Sequence, residues 1–157
     1  MAQEIERKFL IRDASWRDEP ASTETFRQFY LARRDGFSVR IRIIDEARAF
    51  LTMKTGNGLQ RGEYEYELPL ADARELERAH IGTVIEKRRH CIAHGRHVIE
   101  VDVFAGALAP LVVAEIELES AEDVVELPRW FGREITDDPA FSNVGLATNG
   151  LPEEFRT

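Results

Sequence analysis

Only one cysteine, Cys91, occurs among the 157 residues. That excludes a disulfide within the chain and any cysteine-built zinc site, and Cys91 is expected to be a packed thiol. Long hydrophobic runs are missing as well: nowhere is there the stretch of about 18 apolar residues that a membrane span requires. The opening MAQEIERKFLIRD carries charge from its fourth residue, unlike a signal peptide, so a cytoplasmic protein with no membrane partner is expected. No tract rich in Pro, Gly or Ser marks a linker, and one folded unit over residues 1–157 is expected. Positive charge is in deficit, with 21 Lys and Arg against 29 Asp and Glu and a formal net charge of -8. This argues against a dedicated nucleic-acid binder, although it leaves room for a local basic pocket. The histidines His80, His90, His94 and His97 share no motif and are read as structural or exposed.

What the chain does have is charge in a pattern. Hydrophobic residues make up 43% and charged residues 32%, enough apolar matter for a core but more charge than a surface demands, so some charge is expected inside. Strict alternation, the period of a β-strand, recurs along the chain. From Glu4 to Arg12 it sets Glu4, Glu6 and Lys8 against Ile5, Arg7, Phe9 and Ile11. Phe37 to Ile43 sets Ser38, Arg40 and Arg42 against Val39, Ile41 and Ile43, and Ala49 to Thr55 sets Thr52 and Lys54 against Leu51 and Met53. A glycine-bearing loop follows, with Gly56, Gly58 and Gly62, and then Glu63, Glu65 and Glu67 alternate with Tyr64, Tyr66 and Leu68. Gly82 to Ala93 aligns Ile85, Lys87, Arg89 and Cys91; His97 to Phe104 aligns Val98, Glu100 and Asp102; Val112 to Glu119 aligns Val113, Glu115, Glu117 and Glu119. Thr25 to Arg33 is expected to be a further strand. Helices are expected at Ala71 to Ala79, from its helix formers, and at Ser120 to Leu127, with Ser120 as N-cap and Glu122 and Asp123 in the first turn. From Pro128 onward an irregular tail is expected.

The charged faces are nearly pure, and their sign changes from strand to strand. They bring together ten acids (Glu4, Glu6, Glu63, Glu65, Glu67, Glu100, Asp102, Glu115, Glu117, Glu119) and six bases (Lys8, Arg40, Arg42, Lys54, Lys87, Arg89). Like charges two residues apart on a strand lie only about 7 Å apart and repel unless something of opposite sign sits between them. For Arg40 with Arg42 the fitting partner is a polyanion, because arginine forks match phosphate oxygens. Paired carboxylates with no His or Cys beside them suit a hard cation, Mg²⁺ or Mn²⁺. Curled with these faces inward, such a sheet would form a site for a metal-chelated polyphosphate.

The same residues resemble the signature of the CYTH superfamily, the triphosphate tunnel metalloenzymes. The likeness begins with the E-x-E-x-K of Glu4, Glu6 and Lys8 and continues through the R-x-R of Arg40 and Arg42 and the T-x-K of Thr52 and Lys54. It runs on through the E-x-E run from Glu63, the K-x-R of Lys87 and Arg89, the E-x-D of Glu100 and Asp102, and the E-x-E of Glu115 and Glu117, covering residues 4 to about 145. The resemblance implies an α+β fold: an eight-stranded antiparallel β-tunnel, closed as a barrel, with a polar charged interior and helices packed outside. It implies that Lys8, Arg40, Arg42, Lys54, Lys87 and Arg89 bind the triphosphate and carry its chemistry. By the same likeness Glu4, Glu6, Glu115 and Glu117 hold Mg²⁺ or Mn²⁺, and Glu63, Glu65, Glu67, Glu100 and Asp102 orient the bases or complete a second metal site. Arg61 is a further possible phosphate contact. The segment Gly132 to Asp137 resembles short bacterial members in which a C-terminal helix closes one tunnel mouth, which makes Arg133 a substrate-binding position to examine.

The expected activity is hydrolysis of a phosphoanhydride, with inorganic triphosphate first because no element for an organic head group stands out. Thiamine triphosphatase and class IV adenylyl cyclase are the alternatives within the family. A non-catalytic polyphosphate or nucleotide sensor is the alternative outside enzymology, although intact metal-type carboxylates speak for turnover. The expected partner is a small-molecule triphosphate.

Overall fold

The computed structural model describes residues 5–56 and 62–156. There the alternation becomes nine strands: β1 (Ile5–Ile11), β2 (Ser22–Arg34), β3 (Phe37–Ile44), β4 (Arg48–Thr55), β5 (Gly62–Leu68), β6 (Ile81–His94), β7 (His97–Ala105), β8 (Val112–Leu118) and β9 (Phe131–Glu134). All belong to one antiparallel sheet in the order β5-β4-β3-β2-β6-β7-β8-β1-β9. β5 and β9 form its two margins.

One face of each strand is apolar, and those faces make the core. Phe29, Ile41, Ile43 and Ala49 pack with Ala73 of helix α1 (Leu70–Leu76). That helix and the 3-10 turn Glu77–Ala79 fill the span expected from Ala71 to Ala79. Arg27 ties the turn to the sheet, donating to Glu77 at 2.6 and 2.8 Å. Further along the same face Phe9, Ile99, Val101, Ala114 and Ile116 pack with Trp16, Trp130 and Phe131. Fully burying one such side chain contributes about 1.5–3 kcal/mol.

Four expectations need correction. The sheet has nine strands rather than eight, because Phe131–Glu134 adds to the outer margin of β1, where Phe131 stacks on Phe9 with ring centroids 4.7 Å apart. Four residues are too few to show a period, so only the docking edge makes this a strand. Ser120 to Leu127 is not a helix. The Asp123 carboxylate, expected in a first helical turn, instead accepts from the Glu119 amide at 3.1 Å and from His97 Nε2 at 2.9 Å, and also pairs with Arg96. It pins the segment to the β6–β7 hairpin as an irregular loop. Helices were expected outside the sheet, yet helix α2 (Asn143–Asn149) packs on its charged side, where Leu146 and Ala147 meet Tyr30, Ile85 and Phe104. Gly82 allows this approach: a Cβ there would stand 2.4 Å from the Ala147 carbonyl oxygen, and its φ of +69° suits glycine. The tail from Pro128 is thus largely ordered, as β9, α2 and short 3-10 turns at Pro139–Phe141 and Glu153–Phe155.

Candidate functional site

Residues paired across an antiparallel ladder share a face, so the register decides where the charges go. Glu63 is opposite Lys54, and Lys54 opposite Ser38; Glu65 is opposite Thr52, and Thr52 opposite Arg40; Glu67 is opposite Phe50, and Phe50 opposite Arg42. Arg40 and Arg42 lie opposite Tyr30 and Gln28 of β2, whose Phe26 is opposite Lys87. The same face continues through Arg89 opposite Asp102, Glu100 opposite Glu115, Glu115 opposite Lys8 and Glu117 opposite Glu6. Fourteen residues read as site residues from the sequence therefore stand on one face of one sheet.

Between β6 and β1 these charges neutralise one another. Lys87 Nζ lies 2.8 Å from Asp102 Oδ2, with the two side chains 1% and 2% exposed. Arg89 donates twice to Asp102, at 2.8 and 3.0 Å, and lies 2.5 Å from Glu100. Lys8 approaches Glu115 at 3.5 Å. Burial by itself would raise the Asp102 carboxyl, but Lys87 and Arg89 hold it well below the ordinary carboxylate range. Burial pushes the Lys87 ammonium down against the pull of Asp102, and it raises the Glu100 carboxyl against Arg89. For Arg89 the cost of burial is overcome by Asp102, Glu100 and Glu115, and its guanidinium is held above its usual range.

On β3 and β4 the cations lack such partners. Arg42 donates from Nε to Gln28 Oε1 at 2.9 Å and lies over the Phe26 ring at 4.6 Å. Burial, then the charges of Arg40 and Arg89, push its guanidinium down to about 10. Arg40 is buried, and its Nε has no hydrogen-bond partner among the described residues. A buried donor left unsatisfied costs about 1–3 kcal/mol, a cost that an anion supplying oxygens would remove. Among the described residues Arg40, Arg42 and Lys54 form no ion pair.

A cavity of about 600 Å³ opens over Arg40 and Lys54. It is bordered by Glu6 and Lys8 of β1, by Arg40 and Lys54 of β3 and β4, and at one end by Ser142, Asn143 and Val144. β1 and β4 stand six places apart in the sheet order, so sharing one cavity requires the charged face to be strongly concave. A cleft of about 760 Å³ on the opposite side, bordered by Arg17, Arg27, Arg74 and His90, takes in Lys87 alone of the predicted charges. Size does not choose between the two; the unpartnered Arg40 donor does.

Some predicted residues stand apart. Glu4 and Arg61 lie outside the described residues. Arg133 on β9 pairs with Glu154 at 2.6 Å and does not border the cavity. Glu67 is engaged by Arg48 at 2.9 Å, whereas Glu65 accepts from the Thr52 hydroxyl at 3.4 Å. Sequence reading missed Phe26 and Gln28. Phe26 lies beneath Arg42, Arg89 and Lys87 at 4.6, 4.9 and 5.8 Å, so one ring supports three cations. Gln28 is buried and orients Arg42. Their alternation with Glu24 and Tyr30 was visible in β2, but a mixed polar and aromatic face carries no charge signal.

The oxygen donors suit a hard cation. Glu6 and Glu117 face each other directly across the β1–β8 ladder. Among the described residues no group of three or more His, Cys, Asp or Glu is close enough to enclose a metal by itself. Mg²⁺ typically takes one or two carboxylates and completes its shell with water and phosphate oxygens, which is what two facing glutamates beside a cationic cavity offer. No helix among the described residues is long and apolar enough to cross a membrane.

The same chain matches the model of a known family, the CYTH domain, over residues 2–143. It is 39% identical over 151 residues to an inorganic triphosphatase of Acetivibrio thermocellus, covering 95% of this chain and 96% of that protein. It is 37% identical over 149 residues to an inorganic triphosphatase of Nitrosomonas europaea, covering 92% and 96%. A solved crystal structure of an inorganic triphosphatase superposes with a TM-score of 0.77 at 31% identity, covering 97% of this chain and 99% of that one.

Proposed function

This chain belongs to the CYTH domain family, and we propose that it is an inorganic triphosphatase that hydrolyses tripolyphosphate to pyrophosphate and orthophosphate within its concave charged face. One observation carries the placement: a buried Arg40 whose Nε has no hydrogen-bond partner among the described residues, beside Arg42 and Lys54, which form no ion pair there. Near full-length identity to two inorganic triphosphatases supports the activity. We read residues 1–157 as one unit whose sheet curls into a tunnel around the substrate.

Phosphoryl transfer asks little covalent help of a protein, so positioning and charge do most of the work. Arg40 and Arg42 fork onto phosphate oxygens, with Gln28 and Phe26 fixing the Arg42 plane. Lys54 and Lys8 face the substrate from opposite sides of the cavity and neutralise charge that grows on the departing pyrophosphate. Asp102 on the neighbouring strand pairs with both Arg89 and Lys87 and so fixes where their charge is presented. Glu6 and Glu117, with Glu115 and Glu4 in support, would hold Mg²⁺ or Mn²⁺, which when bound draws charge off phosphate oxygens and lowers the pKa of a bound water.

The test is a phosphate-release panel with tripolyphosphate, thiamine triphosphate and ATP, each with Mg²⁺, with Mn²⁺ and with EDTA. Tripolyphosphate should be turned over fastest, lose turnover in EDTA and regain it when metal is returned. Preference for ATP or thiamine triphosphate would reassign the substrate. Binding without release of phosphate from any of the three would make the protein a sensor.

A further inference from the structure

We infer that Arg33 is a further phosphate-binding residue, carried onto the charged face by a β-bulge, and that it reads the outer end of the polyphosphate chain. This rests on the triphosphatase reading. By simple alternation Arg33 belongs to the apolar side of β2, because Phe26, Gln28 and Tyr30 face the charges. The ladder breaks that rule. Tyr30 is opposite Arg40, but the next pair is Ala32 with Val39, followed by Arg33 with Ser38. A second register shift appears where β2 meets β6, between Gln28 and Tyr30. The extra residue puts Leu31 and Ala32 both on the apolar side, and Leu31 packs there beside Phe29 and Ile41. From that point parity is reversed and Arg33 shares a face with Ser38 and Lys54. Bulges re-aim side chains in this way and are frequent beside active sites.

The consequence is a cationic clamp. Arg33 and Lys54 lie on either side of Ser38, whose small side chain leaves room between them, and all three border the 600 Å³ cavity with Arg40. Arg33 is exposed, and its side chain forms no hydrogen bond or ion pair among the described residues. Two residues along a strand cover about 7 Å, so the Ser38 row is one step further out than Arg40 and two steps beyond Arg42. A phosphate chain engaged by Arg40 meets Arg33 and Lys54 with its outer end. The substrate class is therefore linear polyphosphates of three or more units, with Arg33 contributing more as the chain lengthens.

The experiment compares wild type, Arg33→Ala, Arg33→Lys and Arg78→Ala, the last removing an exposed arginine on the turn after α1, away from the cavity. Steady-state kinetics are measured on tripolyphosphate and tetrapolyphosphate, and pyrophosphate is measured as a competitive inhibitor. Arg33→Ala should raise KM for tripolyphosphate about tenfold, the loss of one charge-assisted contact, with kcat nearly unchanged. The increase should be larger for tetrapolyphosphate and absent from pyrophosphate inhibition. Arg33→Lys should recover part of the loss, and Arg78→Ala should match wild type. Arg33→Ala kinetics within twofold of wild type on both chains would overturn the inference, as would an equal effect from Arg78→Ala. An inactive wild type would instead overturn the triphosphatase reading, and an apo melting curve of Arg33→Ala coincident with wild type separates binding from folding.

Discussion

Lys87 and Arg40 stand on the same face of the same sheet, and both are buried. Lys87 is held at 2.8 Å by Asp102, whereas Arg40 keeps an Nε with no partner among the described residues. The contrast extends to their surroundings. From β6 to β1 every site cation meets an acid: Lys87 and Arg89 meet Asp102, Arg89 also meets Glu100, and Lys8 meets Glu115. From β2 to β4 Arg40, Arg42 and Lys54 form no ion pair among the described residues, although Arg42 has an amide and a ring to hold it. The same residue types thus serve two ends. The paired half is satisfied in the absence of ligand and fixes the shape of the concavity, and the other half keeps a buried arginine donor that an outside anion can answer.

The sharpest way to break that comparison is Asp102→Asn. It removes the charge that holds Lys87 and Arg89 while keeping side-chain shape, and breaking a buried pair by loss of one partner costs about 3–5 kcal/mol. For a chain of this size the melting temperature should fall by roughly 6–20 °C. An unchanged melt would mean that the paired half is no more structural than the other.

Arg40→Ala should behave in the opposite sense. Loss of charge-assisted contacts of about 1.5–3 kcal/mol should lower kcat/KM on tripolyphosphate by roughly 10- to 100-fold. The apo protein should be no less stable, because an unsatisfied buried donor and a repelling neighbour of Arg42 have been removed. Chemical denaturation of the apo variant alongside its kinetics reads both effects. Destabilisation comparable to that of Asp102→Asn would place Arg40 in the structural set.

The smallest effect lies on the opposite face and serves as a reference for pH. Hydrogen bonds from Arg7, at 3.0 and 2.7 Å, lead the forces that hold the Glu134 carboxyl down to about 2. A carboxyl depressed on folding adds stability that is fully present above its ordinary pKa and disappears as pH falls through its folded value. The Glu134 contribution therefore fades from pH 4.5, its unshifted value, toward about 2. The pair is 33% and 40% exposed, so solvent screening limits its worth to less than about 1 kcal/mol. Glu134→Gln should flatten the acid limb of a stability-versus-pH curve only slightly. Asp102 is depressed in the same direction but buried, and Asp102→Asn should remove a much larger part of that limb. Equal effects from the two variants would erase the difference between a buried and an exposed carboxylate.

Much of the fold was legible because alternation is loud: β1 and β3 through β8 fall where the period of two places them, and α1 where helix formers gather. What was not legible depended on a partner distant in sequence. β9 exists because β1 offers an edge, and the loop after β8 is irregular because Asp123 binds the β6–β7 hairpin. Phe26 and Gln28 gained their place from Lys87 and Arg42 across the ladder rather than from any pattern of their own.

The sequence by itself determined which side chains travel together on each strand, and hence that acids and bases would be sorted onto faces, because an extended backbone turns successive residues to opposite sides whatever surrounds it. Only the tertiary structure decided how those faces were joined. Register set Asp102 against Arg89 and left Arg40 opposite Thr52 and Tyr30, and a bulge reversed the parity of Arg33. A strand's own period is local, but which residue stands opposite, and therefore which charge is answered from within the protein, is fixed by pairing between segments far apart in the chain.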